Sequence, residues 1–237
     1  MLSKYNVRWL YTADFIQTLE YYAKCLTEKV MLSFDDISAE AKKVAQETQN
    51  QFTGGDLADI AEHVRDAEVD FYLMAHGMVQ GIRNMFTAGL YHLFEQQLLR
   101  LHRQELLFEI WSPFEEPPRE WLCVQEAQKR LLRDYKIDIT AFASWSTLNE
   151  LRLVANTVKH AEGDSCTKLK RTRPDLFINP DLEDLMLEDT SKRFRPVYQP
   201  LAGEDLYISL KEFIRYVGAT KQFWEELAQA LDQLPHL

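Results

Sequence analysis

The sequence predicts a mainly α fold, a helical bundle with a long central helix and a small C-terminal irregular or hairpin element. Apolar residues recur at three- and four-residue spacing through most of the chain. Asp, Ser or Thr stand where several of these runs begin. No proline interrupts the chain between Asp56 and Pro113, so nothing there forbids a very long helix.

In chain order, Phe15, Ile16, Leu19, Tyr22, Ala23 and Leu26 predict a helix over 12–29 behind a Thr12 cap. A second, more polar helix over 36–50 ends at Phe52-Thr53-Gly54-Gly55. Asp56 caps the third, where glycines at 77, 81 and 89 predict a kink and allow close backbone approach. Met74, Met78, Gly81, Met85, Ala88, His92, Glu95 and Leu99 share one side of this helix.

Trp111-Ser112-Pro113-Phe114-Glu115-Glu116-Pro117-Pro118 predicts a turn or rigid connector. Helical spacing resumes over 119–136, closed by Ile137-Asp138-Ile139-Thr140 as a turn or short strand. The next helix runs from Ser146 or Thr147 to Ala161, with Thr147 and Glu150 as its capping box and Gly163 as its left-handed stop. Ser165 then caps a short basic helix ending by Arg173-Pro174. Residues 174–191 are acidic, 192–195 basic, and the segments at Arg195 and Asp205 predict a small hairpin. Ser209 and Glu212 cap the final helix, which carries Phe213, Ile214, Val217, Phe223, Trp224, Leu227 and Leu231.

A chain of 237 residues can bury a substantial core, and we read 1–237 as a single helical domain with N- and C-terminal helical extensions. The formal charge of −10 offers no diffuse attraction for polyanions, so nucleic-acid contact needs a local basic patch. Charged residues interrupt every apolar run in the first thirty positions, which predicts a cytoplasmic protein with no membrane partner. Cys25, Cys123 and Cys166 form no CxxC pair and are expected as free thiols.

Arg152, Asn156 and His160 follow one another at four-residue intervals, and Lys159 borders them. Leu151, Val154, Ala155 and Val158 occupy the neighbouring face and anchor the helix. Histidine exchanges a proton near neutral pH, while Arg152 and Lys159 can stabilise charge on a phosphate. Asn156 can orient the imidazole or bind substrate. Metal-independent RNA cleavage needs this set, because an activated 2'-hydroxyl attacks the adjacent phosphate and charge grows on its oxygens. Just beyond Gly163, Lys168, Lys170, Arg171 and Arg173 form a basic run suited to flanking phosphates. The same residues also suit a solvated helix face whose cations pair with nearby acids.

The stretch Ala155-Asn156-Thr157-Val158-Lys159-His160-Ala161-Glu162-Gly163 resembles the helix-borne Asn-x-x-x-His followed by glycine of the HEPN superfamily. These are compact helical domains of toxin and antiviral systems. The resemblance implies a metal-independent endoribonuclease or RNA-binding effector of stress or phage defence, with Asn156 and His160 at its site and no cofactor. It also implies a homodimer, which joins the motifs of two subunits about one cleft. The family's arginine position falls on Ala155, and Arg152 is the substitute on the correct side of the helix.

Tyr91, His92, Glu95 and Gln96 form a second polar cluster, in which Glu95 can orient the His92 imidazole. A hydrogen-bonded core or interface pair, support for His160, and metal binding are the three readings of it. His63, His76 and His102 build no metal array, and HExxH and phosphate-loop motifs are absent. Tyr21, Tyr22, Phe71, Tyr72, Phe213, Phe223 and Trp224 are expected in packing rather than in base stacking. The alternative function is a noncatalytic interaction or regulatory protein with a protein partner.

Overall fold

The computed structural model describes residues 12–103, 123–179, 197 and 205–233. Seven α-helices make up the described architecture: α1 (Ala13–Lys24), α2 (Ile37–Gln49), α3 (Leu57–Leu101), α4 (Val124–Tyr135), α5 (Trp145–His160), α6 (Asp164–Thr172) and α7 (Leu210–Asp232). The mainly helical class with a long central helix is therefore observed. The connector at 111–118, the residues at 119–122 and most of the predicted hairpin lie outside the described residues.

Local sequence explains the helix starts at α2, α3 and α7. Asp36 accepts from the Ala39 amide at 2.9 Å, Asp56 from the Ala58 amide at 2.8 Å, and Ser209 from the Glu212 amide at 3.1 Å. Thr12 has helical backbone angles and no side-chain cap bond, so α1 does not begin as expected. The predicted first helix also changes character. Its α-helical part stops at Lys24, and a π-helical turn (Cys25–Val30) and a 3-10 turn (Met31–Phe34) lead into α2.

α3 is one continuous α-helix through all three glycines. Its 45 residues span about 68 Å at the helical rise. Packing along its length offsets the glycines' low helix propensity. α2 folds back along the first half, where Ile37 meets Ala75 and Val79 beside Met31, Phe34 and Phe71. The second half enters the main core. Gly89 serves a close approach there, because a Cβ on it would stand 2.2 Å from the Tyr22 hydroxyl. That hydroxyl donates to the Phe86 carbonyl at 3.0 Å, so α1 crosses α3 with almost no gap.

The main core gathers α1, α3, α4, α5, α6 and α7 around Phe15, Phe94, Leu151, Val154, Phe223 and Trp224. Phe15 and Trp224 ring centroids lie 4.7 Å apart, and Phe94 and Phe223 meet edge-on at 4.9 Å. Of the expected packing aromatics, Tyr21 and Tyr72 are exposed instead. Buried Gln97 ties three helices by donating to the Phe15 carbonyl at 3.2 Å and accepting from Trp224 Nε1 at 2.9 Å.

Leu206–Ile208 form no strand, although hairpin pairing was expected nearby. The segment lies against α3, where Asn84 donates to the Leu206 carbonyl at 2.8 Å and Gln80 to the Ile208 carbonyl at 3.1 Å. The Tyr207 amide donates to the Leu176 carbonyl at 2.8 Å. Side chains of α3 thus satisfy the backbone groups that a neighbouring strand would otherwise meet.

Among the described residues, no helix is long and apolar enough to cross a membrane.

Candidate functional site

α5 positions the predicted stripe. Leu148, Leu151, Leu153, Val154, Ala155, Thr157 and Val158 are buried, so one side of the helix is fixed in the core. Arg152 and Asn156 are half-buried on the other side, and Lys159 and His160 are exposed at its end. Lys159 and His160 also occupy the last turn, where the helix dipole favours positive charge.

Ala155 is completely buried. The position of the family pattern's arginine therefore points into the core, where an uncompensated guanidinium would be costly. Arg152, the sole arginine of α5, stands on the solvent side instead. Its Nε and Nη2 donate to Asn149 Oδ1 at 3.2 and 3.0 Å. One turn later, Asn156 Nδ2 donates to Ser165 Oγ at 3.4 Å and links α5 to α6.

The end of α5 departs from expectation in a way that matters for His160. Ala161, not Gly163, takes the positive φ, with φ 59° and ψ −133°. Gly163 at φ 164° is extended. An alanine held at such angles is strained, and the strained residue directly follows His160. Ala161 is itself buried, so core contacts hold the turn that aims the exposed His160. Ser165 does not cap α6. It sits in the helix's first turn, where its hydroxyl receives the Asn156 amide.

The basic run divides. Lys168 and Arg171 are exposed on α6. Lys170 Nζ meets Glu162 Oε1 at 2.5 Å and lies 5.4 Å from the Phe177 ring centre. Burial opposes ionisation of Glu162, but Lys170 and the Val197 amide outweigh it and hold its pKa below the ordinary value. Arg173 is enclosed by carboxylates: Nη1 lies 2.5 Å from Glu150 and 3.0 Å from Glu212, and Nη2 lies 2.7 Å from Asp175. Lys168 and Arg171 are thus better presented to an outside phosphate than the other two members of the run.

Sequence reasoning missed the centre that holds Arg173. Glu150 accepts from the Tyr216 hydroxyl at 2.7 Å and also contacts Arg215. Arg215 Nη2 lies 2.8 Å from Glu212. The Asp175 bond and those of Glu212, with the Glu150 charge, raise the Arg173 pKa against the cost of burial. Burial, then the bond to Glu150, raises that of Tyr216. Glu150 was read as half of a capping box with Thr147, but its carboxylate is engaged in this cluster. No local signal marks the set, since Arg173 and Tyr216 lie 23 and 66 residues from Glu150.

The second predicted cluster adjoins the first across the α3–α5 contact. His92 Nδ1 and Glu95 Oε2 are 3.3 Å apart, each side chain about a third exposed. Buried Tyr91 has its hydroxyl pKa pushed up to about 12, first by burial and then by the Glu95 charge, while the Arg152 charge opposes the rise. Arg152 therefore lies within electrostatic reach of the Tyr91 and Glu95 side of α3. Among the described residues, no group of three or more His, Cys, Asp or Glu side chains could hold a metal ion.

A groove of about 480 Å³ lies elsewhere, between α1 and α7, lined by Thr12, Ile16, Gln17, Glu20, Glu225 and Gln229 among others. It contains none of the stripe residues.

Comparison with protein-family models, with curated proteins and with solved structures gives no match to this chain.

Proposed function

We propose that this chain acts as a metal-independent endoribonuclease or RNA-binding effector through the elbow formed by α5 and α6. The observation that carries the reading is the division of α5 into a buried face and an outward line of Arg152, Asn156 and His160. Lys159, Lys168 and Arg171 add exposed positive charge at the same elbow in a chain of charge −10. The likeness of the stripe to HEPN proteins supports a cytoplasmic role in stress or phage defence.

In the cleavage step His160 takes the proton of a 2'-hydroxyl, and the new 2'-oxygen bonds to the adjacent phosphorus. The bond to the 5'-oxygen breaks, and that oxygen takes a proton from water while the His160 imidazolium returns its own to solvent. Products are a 2',3'-cyclic phosphate and a 5'-hydroxyl. Arg152 and Lys159 stabilise charge on the phosphoryl oxygens. Asn156 orients substrate or the imidazole, Lys168 and Arg171 hold flanking phosphates, and the His92–Glu95 pair with Tyr91 supports the Arg152 side.

The test incubates purified wild type and His160→Ala with mixed RNA in chelator and examines the ends. Cyclic phosphate ends that disappear in a folded His160→Ala protein support the enzyme. Equal cleavage by both rejects His160 as its catalytic residue. If neither cleaves nor binds RNA, the second reading stands, a noncatalytic interaction or regulatory protein.

A further inference from the structure

α3 carries an apolar stripe well separated in sequence from the elbow. Met74, Met78 and Met85 are 53, 53 and 52 % exposed. With Gly81 they follow a four, three, four spacing, the seam spacing of a coiled coil. Gly77 beside them has open space where a Cβ would stand. α2 covers a different side of the same helix, through Ala75 and Val79. We propose that this stripe binds a second copy of the chain, the two α3 helices running antiparallel about a two-fold axis near residues 79 and 80.

Two features select that occupant and that direction. The spacing reads the same in reverse, so the axis sets Met74 opposite the partner's Met85 and Met78 opposite the partner's Gly81, large against small. Charge along α3 is also divided. Residues 57–70 hold five acids and one arginine, whereas residues 86–103 hold Arg100 and Arg103 against Glu95. Antiparallel pairing brings opposite signs together, and parallel pairing brings the acidic ends together.

The area is sufficient. A contact three helical turns long with its flanks buries on the order of 500 Å² per subunit, so the pair reaches roughly the 1,000 Å² of a specific interface. This assembly does not depend on RNA cleavage at the elbow.

Sedimentation of the full chain at tens of micromolar tests it. Wild type is expected as a dimer, and Met78→Glu as a monomer of unchanged helicity, with dissociation strengthened about a hundredfold. Direction is read by disulfide cross-linking after Cys25→Ser and Cys123→Ser. Met74→Cys chains should couple to Met85→Cys chains and neither variant to itself. A monomeric wild type, a Met78→Glu dimer, or Met74→Cys chains that couple only to one another would overturn the proposal.

Discussion

Glu226 on α7 caps the N-terminus of α5 by accepting hydrogen bonds from the Ser144 amide and hydroxyl, at 3.3 and 2.6 Å, across 82 residues of sequence. It also receives the Ala143 amide at 3.2 Å. A carboxylate at a helix N-terminus satisfies unpaired amides and opposes the positive end of the dipole. Glu226→Ala should lower stability by about 1–2 kcal/mol in urea denaturation, with Glu226→Gln between the two. Equal midpoints for all three proteins would show that Ser144 does not depend on this contact.

Strain at the end of α5 gives a second expectation. Ala161→Gly relieves the φ of 59°, so it should raise stability by about 1 kcal/mol despite the lost methyl group. Gly163→Ala meets open space at an extended φ of 164° and should change stability by less than about 0.5 kcal/mol. The opposite ranking in thermal melts would place the strained position at Gly163. If Ala161→Gly also changes RNA cleavage without loss of fold, the turn aims His160.

Arg173 and its neighbours on α6 should separate structure from binding. Arg173→Ala leaves Glu150, Glu212 and Asp175 without their shared cation and should cost about 2–3 kcal/mol. Lys168→Ala and Arg171→Ala should leave the urea midpoint unchanged and weaken RNA binding, with a shallower dependence on salt. Fluorescence titration of labelled RNA at several salt concentrations reads this directly. Unchanged binding in both exposed variants would remove α6 from the interface.

The pH dependence centres on His102, which is fully buried and accepts a hydrogen bond from Arg130 Nε at 3.1 Å. Burial first, then the Arg130 charge, lower its pKa from 6.5 to about 4, against the opposing Glu126 charge. The unfolded chain therefore binds a proton more readily between these values. The stabilising contribution is complete above pH 6.5 and falls as acid approaches pH 4, a loss on the order of 3 kcal/mol. His102→Gln keeps an acceptor for Arg130 and should flatten the slope in that window. The acids Asp175 and Glu212 have lowered pKa values, through Arg173 for the first and through Arg173 and Arg215 against burial for the second. They add their own loss below the ordinary carboxylate range in both proteins. An unchanged slope in His102→Gln would assign the whole acid response to such carboxylates.

Much of the fold was legible because its signals are local. Asp36, Asp56 and Ser209 sit within three residues of the amides they cap. Regular spacing likewise announced which side of α5 would be buried. Side-chain partners outside the local helix turn were not legible: Glu150 joins the Arg173 and Tyr216 cluster instead of a capping box, Ser165 receives Asn156 instead of capping α6, and Arg173 sits among three carboxylates. Each carries the right chemistry for a local role, and the folded chain supplies it with other partners as well.

By itself the sequence determined the helical class, the long α3 and the stripe that puts Arg152, Asn156 and His160 on one side, because helical periodicity acts over a few residues. Tertiary structure decided the rest. It placed Ala155 in the core, gathered Arg173 among three carboxylates, set Glu226 on Ser144 and forced Ala161 rather than Gly163 into the positive-φ turn. The physical reason is that burial and long-range charge pairing depend on which helices meet, and no spacing within one helix encodes its neighbours' side chains.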